Sequence, residues 1–116
     1  MGDLTKNFSR SEFACKCKCG FDTIDFETVT ILQKVADHFD KPVKVTSGAR
    51  CFHHNKKVGG KPSSQHLKGR AADIQVSDTE PADVYEFLNS EYPDRLGLGK
   101  YNSFTHIDTR KERARW

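Results

Sequence analysis

The sequence predicts an α+β domain in which a small antiparallel sheet is flanked by helices. Two segments place apolar residues three or four positions apart, which is typical of amphipathic helices, and four short runs have the pattern of strands. With 116 residues, the chain is long enough for one hydrophobic core. We therefore expect residues 1–116 to form a single domain.

The first helix is predicted to follow Asp25, a residue type that often caps a helix N-terminus. Pro42 ends this helix, and residues 43–46 then alternate apolar and polar side chains, which predicts a half-buried strand. The apolar stripe of the helix consists of Phe26, Val29, Leu32, Val35, Ala36 and Phe39.

A second strand is predicted over residues 71–76. Because side chains alternate along a strand, Asp73 faces away from the core side that Ile74 occupies and can point into a cleft. Gly69, just before this strand, permits the backbone reversal that brings His66 over Asp73.

The remaining segments complete the predicted sheet and its helices. Residues 56–64, which include Pro62, are predicted to form a surface loop, and residues 80–91 a second amphipathic helix. Residues 96–101 and 104–108 have the pattern of a β-hairpin, with His106 and Asp108 on one face.

Two histidines and one aspartate predict a metal site: His66, Asp73 and His106. Imidazole and carboxylate groups bind zinc, and three protein ligands leave the fourth tetrahedral position open to water. An open position separates a hydrolytic zinc from a structural one, which four ligands usually close. We therefore expect one catalytic zinc ion and metal-assisted hydrolysis.

The charge balance gives only weak support to an anionic partner. The chain has 19 Lys and Arg against 16 Asp and Glu, a net charge of +3. A nucleic-acid binder is a rival interpretation, but the sequence lacks a patterned aromatic platform or a recognition helix, so we expect no nucleic-acid partner. No function is assigned to the basic tail, which contains Arg110, Lys111, Arg113 and Arg115.

Hydropathy indicates a protein made in the cytoplasm. No apolar run approaches the roughly 18 residues that span a bilayer, so no membrane insertion is expected. The first seven residues are polar, which predicts no signal peptide. We expect the protein to act as a monomer.

Three of the four cysteines are crowded into the segment 15–19, and Cys51 follows far along the chain. Their alternate spacing differs from the Cys-x-x-Cys pairs of common zinc sites. Three states remain open: a disulfide to Cys51, a zinc ion bound by four sulfurs, and reduced thiols.

Four motifs follow one another along the chain: Ser47-Gly48-Ala49-Arg50 with His54-Asn55, Val58-Gly59-Gly60, Ser64-Gln65-His66 with Gly69 and Asp73, and His106-Ile107-Asp108. Together and in this order they resemble the zinc D-alanyl-D-alanine carboxypeptidase and murein endopeptidase family, whose fold is shared with the Hedgehog signalling domain. The resemblance extends from Phe8 to Trp116, and the short form is similar to compact bacteriophage lysis proteins and small bacterial murein peptidases.

The resemblance implies zinc ligation by the same three residues that the spacing selects. It also implies that Arg50 acts in catalysis by binding a substrate carboxylate, a role that suits a planar guanidinium with parallel N–H donors. Ser64 is implied to line the same substrate-binding cleft.

One position departs from the family pattern. Many members have a general-base glutamate three residues before the last zinc histidine, where this chain has Ser103. Asp108 is the predicted catalytic replacement, and it can equally orient a zinc ligand or bind the substrate amine. Tyr101 is a candidate substrate-binding residue that donates a hydrogen bond to the tetrahedral intermediate.

The resemblance therefore implies a zinc peptidase that acts on the cell wall, as a phage lysis protein does. Its expected partner is a peptidoglycan stem peptide or cross-link, and the sequence leaves open which bond is cut. The alternative is a catalytically weak, zinc-containing binding module of the same fold, which the missing glutamate favours.

Overall fold

The computed structural model describes residues 3–61 and 63–116 of the chain. In these residues it contains three α-helices, which are α1 (Phe26–Phe39), α2 (Phe52–Lys57) and α3 (Pro81–Glu91). It also contains five strands, which are β1 (Val43–Ser47), β2 (Ala71–Val76), β3 (Gly97–Lys100), β4 (Thr105–Asp108) and β5 (Ala114–Arg115). Two short 3-10 helices cover Arg10–Phe13 and Gln65–Lys68.

The described strands form one sheet in the order β1-β2-β4-β3-β5. Neighbouring strands are antiparallel except for β5, which runs parallel to β3. This architecture confirms the predicted α+β class with a small, mostly antiparallel sheet.

The two long helices match their sequence patterns. The side chain of Asp25 accepts a hydrogen bond from the backbone N–H of Glu27 at 2.7 Å, so Asp25 caps α1 as predicted. Helix α3 begins with Pro81, whose missing N–H costs nothing in the first turn.

Strand pairing divides the sheet into two different faces. Asp73 of β2 lies directly opposite His106 of β4, and their neighbours Ala72 and Ile107 are also opposite each other. Because directly opposite residues share a face, the first pair lies on one side of the sheet and the second pair on the other. Asp73 and His106, which together with His66 are called the metal candidates because their side chains could ligate a metal ion, therefore lie on the face of the sheet opposite the hydrophobic core.

Helices α1 and α3 cover the core face of the sheet. Burying an aliphatic side chain in such a core contributes roughly 1.5–3 kcal/mol. The fully buried side chains on the helices and the sheet include Val29, Leu32, Val35, Val84, Leu88, Ile74, Leu98 and Ile107. This packing holds β2 and β4 in the register that brings Asp73 and His106 together.

Helix α2, strand β5 and the two 3-10 helices were not predicted from the sequence. Helix α2 extends to Lys57, so the loop expected over residues 56–64 begins only after it. Strand β5 pairs with β3 at the edge of the sheet. Pro62 and the first two residues of the polar N-terminal segment lie outside the described residues. Within the described parts of the chain, each helix is too short or too polar to cross a membrane.

Candidate metal centre

His66 is positioned by the 3-10 helix Gln65–Lys68. The Ser64 hydroxyl accepts a hydrogen bond from the backbone N–H of His66, and Gly69 ends the turn with a left-handed φ of 68°. The ring nitrogen Nδ1 of His66 lies 2.6 Å from the carbonyl oxygen of Gly48. Since a carbonyl only accepts, Nδ1 carries the proton and Nε2 presents a lone pair to the site.

Asp73 lies between the two histidines. Its Oδ1 atom is 3.4 Å from Nε2 of His66 and 2.8 Å from Nδ1 of His106. Bonds of about 2.0–2.1 Å to a tetrahedral zinc would place ligand atoms roughly 3.3 Å apart. The three donor atoms lie within 4.8 Å of one another, so this group fits a zinc ion.

The electrostatics of this group favour a bound cation. Burial opposes ionisation of Asp73, but hydrogen bonds and charge from His106 and His66 hold its pKa well below its usual range. Burial also opposes protonation of His106, yet its contacts with Asp108 and Asp73 raise its pKa. Two carboxylates thus flank one ring, and a proton or a metal ion can occupy the position between Nδ1 of His106 and Oδ1 of Asp73.

Asp108 is a fully buried carboxylate that supports His106 from behind. It accepts a hydrogen bond from Nε2 of His106 at 2.8 Å and two from Arg110, from Nε at 2.7 Å and from Nη2 at 2.8 Å. The backbone N–H of Arg110 donates a further bond at 3.2 Å. Although burial raises the pKa of Asp108, these partners lower it well below its usual range. With Nε2 donating to Asp108, Nδ1 of His106, which lies 2.8 Å from Oδ1 of Asp73, is the ring nitrogen that can bind a metal.

Gly97 makes this buried pair possible. A Cβ atom at this position would meet both carboxylate oxygens of Asp108 and also Nε of Arg110. Only glycine leaves the face of β3 open for the Asp108 and Arg110 side chains to lie against it.

Arg50 faces the metal candidates with part of its guanidinium uncommitted. It donates to Ser47 Oγ at 3.2 Å, to Asn55 Oδ1 at 3.2 Å and to Asp73 Oδ2 at 3.4 Å. These contacts use three of the five N–H groups of an arginine, which leaves one on each terminal nitrogen. The buried Asn55 is fixed in turn because its amide donates to the Lys61 carbonyl at 2.9 Å.

These side chains line an open cavity of about 770 Å³. Its wall includes all three metal candidates, and it also includes Arg50, Ser64 and Tyr101. The structure thus brings the predicted ligand and substrate-binding residues to one cavity. Asp108 lies behind His106.

Ser103, the residue at the usual glutamate position, lies elsewhere. It is exposed in the turn between β3 and β4, and its carbonyl oxygen accepts a hydrogen bond from the Gln75 amide at 2.8 Å. It lines a separate cavity that also includes Lys44. Ser103 therefore has no contact with the metal candidates.

Arg110 and Trp116 were not predicted as site residues. The Trp116 ring lies 5.1 Å from the His106 ring, and the Arg110 guanidinium lies 5.3 Å from the Trp116 ring centre. The indole N–H donates to Tyr101 Oη at 2.8 Å, which leaves the tyrosine hydrogen free for another acceptor. The position of Arg110 two residues after Asp108 was the one sequence signal for its role.

Another part of the basic tail has a structural role. Arg115 donates hydrogen bonds to the carbonyl oxygens of Tyr92, Arg95 and Leu96. These bonds tie β5 to the segment between α3 and β3, so this positive charge serves the fold.

The model of the peptidase M15 family matches residues 6–108, which include all three metal candidates and Arg50. The chain belongs to the peptidase M15 family. This match confirms the resemblance predicted from the motifs, and the M15 peptidase fold agrees with the observed sheet and helices. As an M15 peptidase the protein is a metallopeptidase that acts on a peptide substrate. A comparison with curated proteins found no match.

Proposed function

We propose that this M15 peptidase is a zinc enzyme that hydrolyses peptide bonds in bacterial peptidoglycan, as a D-Ala-D-Ala carboxypeptidase or a murein endopeptidase. The observation that carries the proposal is the position of Arg50. Its guanidinium lies 3.4 Å from Asp73 and keeps two N–H groups for a substrate carboxylate beside the metal candidates. In this proposal the stem peptide or cross-link of the cell wall binds in the open cavity.

His66 Nε2, Asp73 Oδ1 and His106 Nδ1 would hold the zinc ion. A zinc ion in a three-ligand site acts as a Lewis acid toward the scissile carbonyl and activates water for attack. The Gly48 carbonyl supports His66 by accepting a hydrogen bond from Nδ1, as Asp108 supports His106 by accepting one from Nε2. Such outer contacts fix the ring orientation and make the ligand more basic.

Arg50 would bind the free carboxylate of the substrate. Ser47 and Asn55 hold the guanidinium through two of its nitrogens, so little side-chain freedom is lost when a substrate arrives. A planar guanidinium can donate two parallel hydrogen bonds to one carboxylate, and this geometry selects a peptide with a free carboxyl group near the cleaved bond.

Tyr101 would donate a hydrogen bond to the oxygen that gains negative charge during attack. Its ring stacks on Phe104 with centroids 4.4 Å apart, and its oxygen already accepts from Trp116. A donor held in place before the reaction stabilises developing charge without a reorganisation cost.

The contacts of Asp108 favour the orienting role over the general-base role. Arg110 and His106 occupy both of its oxygens, and its side chain is fully buried behind His106. A general base needs an accessible lone pair within hydrogen-bond reach of the attacking water. In the proposed mechanism Asp108 therefore keeps His106 aligned.

Mass spectrometry of muropeptides tests the proposal. The wild-type protein loaded with zinc should release either D-alanine or separated cross-link partners from purified peptidoglycan fragments. His66→Ala and Asp73→Ala should reduce product to background, while His53→Ala, an exposed histidine, serves as the matched control. Full activity in either ligand variant would contradict the assignment of the metal site.

A zinc-containing binding module is the second candidate function. It is favoured by Ser103, which replaces the usual glutamate and lies outside the cavity, and by the hydrogen bonds to His106 and Arg110 that engage both carboxylate oxygens of Asp108. If this candidate is correct, the zinc-loaded protein will co-sediment with peptidoglycan sacculi and release no muropeptide product.

A further inference from the structure

A second group of metal-binding side chains lies apart from the candidate metal centre. It consists of the four cysteines Cys15, Cys17, Cys19 and Cys51, all of which are free thiols. Their sulfur atoms lie within 4.8 Å of one another, although Cys51 is far from the others in sequence. No disulfide bond joins any two of these four described residues.

The three sulfur separations among Cys15, Cys17 and Cys51 are close to the edges of a zinc tetrahedron. Sγ of Cys15 is 3.4 Å from Sγ of Cys17 and 3.8 Å from Sγ of Cys51, while the Cys17 and Cys51 sulfurs are 3.6 Å apart. Zinc–sulfur bonds of about 2.3 Å would place sulfurs roughly 3.8 Å apart. A disulfide would require about 2.05 Å.

Local backbone geometry brings the alternate cysteines together. In an extended strand, residues 15 and 19 would lie roughly 13 Å apart. Here the N–H of Lys18 donates to the Cys15 carbonyl at 3.1 Å, and Lys18 has a left-handed φ of 64°. The N–H of Cys15 donates to the Phe21 carbonyl at 2.7 Å, which closes the loop at its base.

Backbone amides point at the sulfur atoms. The N–H of Cys51 donates to Sγ of Cys15 at 3.5 Å, and the N–H of His54 donates to Sγ of Cys51 at 3.4 Å. Amide donors of this kind stabilise negative charge on sulfur, which is the state that binds metals.

We propose that the four cysteines bind a second, structural zinc ion. Each thiol that ligates gives its proton to solvent, so zinc enters as the thiolates form and no oxidant or reductant is needed. Four sulfur ligands leave no open position, which is the arrangement of a structural site. The resulting excess negative charge lies beside the exposed Lys16 and Lys18.

This zinc would fix the segment that serves the peptidase site. Cys51 directly follows Arg50, and the same segment contributes the Gly48 carbonyl that orients His66. The N–H of Ala49 donates to the Phe13 carbonyl at 2.7 Å, so the segments on both sides of the cysteine group already touch. A zinc ion across them would link the N-terminal segment to the Arg50 backbone.

Metal analysis of the full-length protein, purified under reducing conditions with zinc, tests the proposal. Wild-type protein should carry two zinc ions per chain, and the double variant Cys17→Ser with Cys19→Ser should carry one. Both side chains are exposed, so their replacement removes no core contact. Lys16→Ser, which alters the same loop without removing a ligand, should retain two.

A second experiment distinguishes zinc at the cysteine site from zinc at the proposed peptidase site. His66→Ala with Asp73→Ala should also retain one zinc, and its X-ray absorption spectrum should show four sulfur neighbours at about 2.3 Å. A spectrum with nitrogen or oxygen neighbours only would overturn the proposal, as would iron in place of zinc. If the mass of the denatured wild-type protein is lower by two hydrogens than that of the fully reduced chain, the cysteines form a disulfide, and this result would also overturn the proposal. Inactivity of the zinc-loaded wild type on muropeptides leaves these results unaffected and counts against the peptidase proposal alone.

Discussion

Nε2 of His106 donates a hydrogen bond to Oδ2 of Asp108 at 2.8 Å, and the two residues are next-but-one neighbours on β4. Because alternate residues of a strand share a face, the proposed ligand carries its supporting carboxylate on its own strand. Arg110 then holds that carboxylate through two side-chain bonds. Three residues within five positions thus determine how one imidazole faces the metal candidates.

Asp108→Asn should weaken zinc binding about 10–100-fold, the range seen when outer contacts to a ligating histidine are lost. The amide nitrogen of asparagine would face either His106 or Arg110, both of which are donors. Zinc competition with a chromophoric chelator measures the affinity, and Asp83→Asn on the exposed side of α3 is the control. Unchanged zinc affinity combined with a loss of kcat would instead assign proton transfer to Asp108.

Arg50→Lys should lower kcat/KM for a peptide with a free carboxylate. Loss of a charge-assisted hydrogen bond of about 2 kcal/mol corresponds to roughly thirtyfold. Zinc content should stay at the wild-type value, because Arg50 contacts Asp73 without ligating the metal. Steady-state kinetics on purified muropeptides gives the ratio, and the exposed Arg70→Lys is the matched control. A wild-type kcat/KM in Arg50→Lys would exclude the carboxylate-binding role.

Gly97→Ala should destabilise the protein by about 1–3 kcal/mol, the usual cost of forcing a methyl group into a packed site. The new Cβ would meet the buried Asp108 carboxylate and the Arg110 side chain, which cannot both move without losing their contacts. Gly99→Ala is the comparison, because its Cβ would meet the side chains of Trp116 and Tyr101, which are more exposed. Urea unfolding should rank Gly97→Ala as the less stable variant, and the opposite order would contradict this account.

Trp116→Phe should lower kcat/KM about two- to tenfold while zinc binding is retained. The substitution keeps an aromatic ring near His106 but removes the N–H that donates to Tyr101, a contact worth about 0.5–1.5 kcal/mol. Tyr101→Phe should lower the rate by more, because it removes the proposed donor itself. If the double variant loses the product of the two single effects, the residues act independently and the proposed coupling is wrong.

The sequence was sufficient for the elements with strong periodicity. Helix α1 has a long apolar stripe and a capping aspartate, and β2 has a clear alternation, so both were predicted close to their observed bounds. The proposed ligands converge because they lie at or beside paired strands. Helix α2 was missed because its six residues carry no apolar period.

The parts of the fold and of the candidate site that the sequence did not predict depend on contacts between residues that are distant along the chain. No local pattern shows that Trp116 packs near His106 or that Asn55 holds Arg50. The clustering of the cysteines likewise depends on a left-handed residue inside a loop, a feature that side-chain type alone does not reveal at Lys18.

The pairing of Asp73 with His106 has a consequence for how the protein folds. A shift of the pairing register between β2 and β4 by one residue would turn apolar side chains toward solvent and would turn the carboxylate and imidazole groups into the hydrophobic core. The misaligned fold would therefore be less stable for two reasons, because it exposes apolar side chains and because it buries charged ones. Correct alignment of these two strands buries the apolar face and, in the same event, brings together Asp73 and His106, two of the three proposed metal ligands.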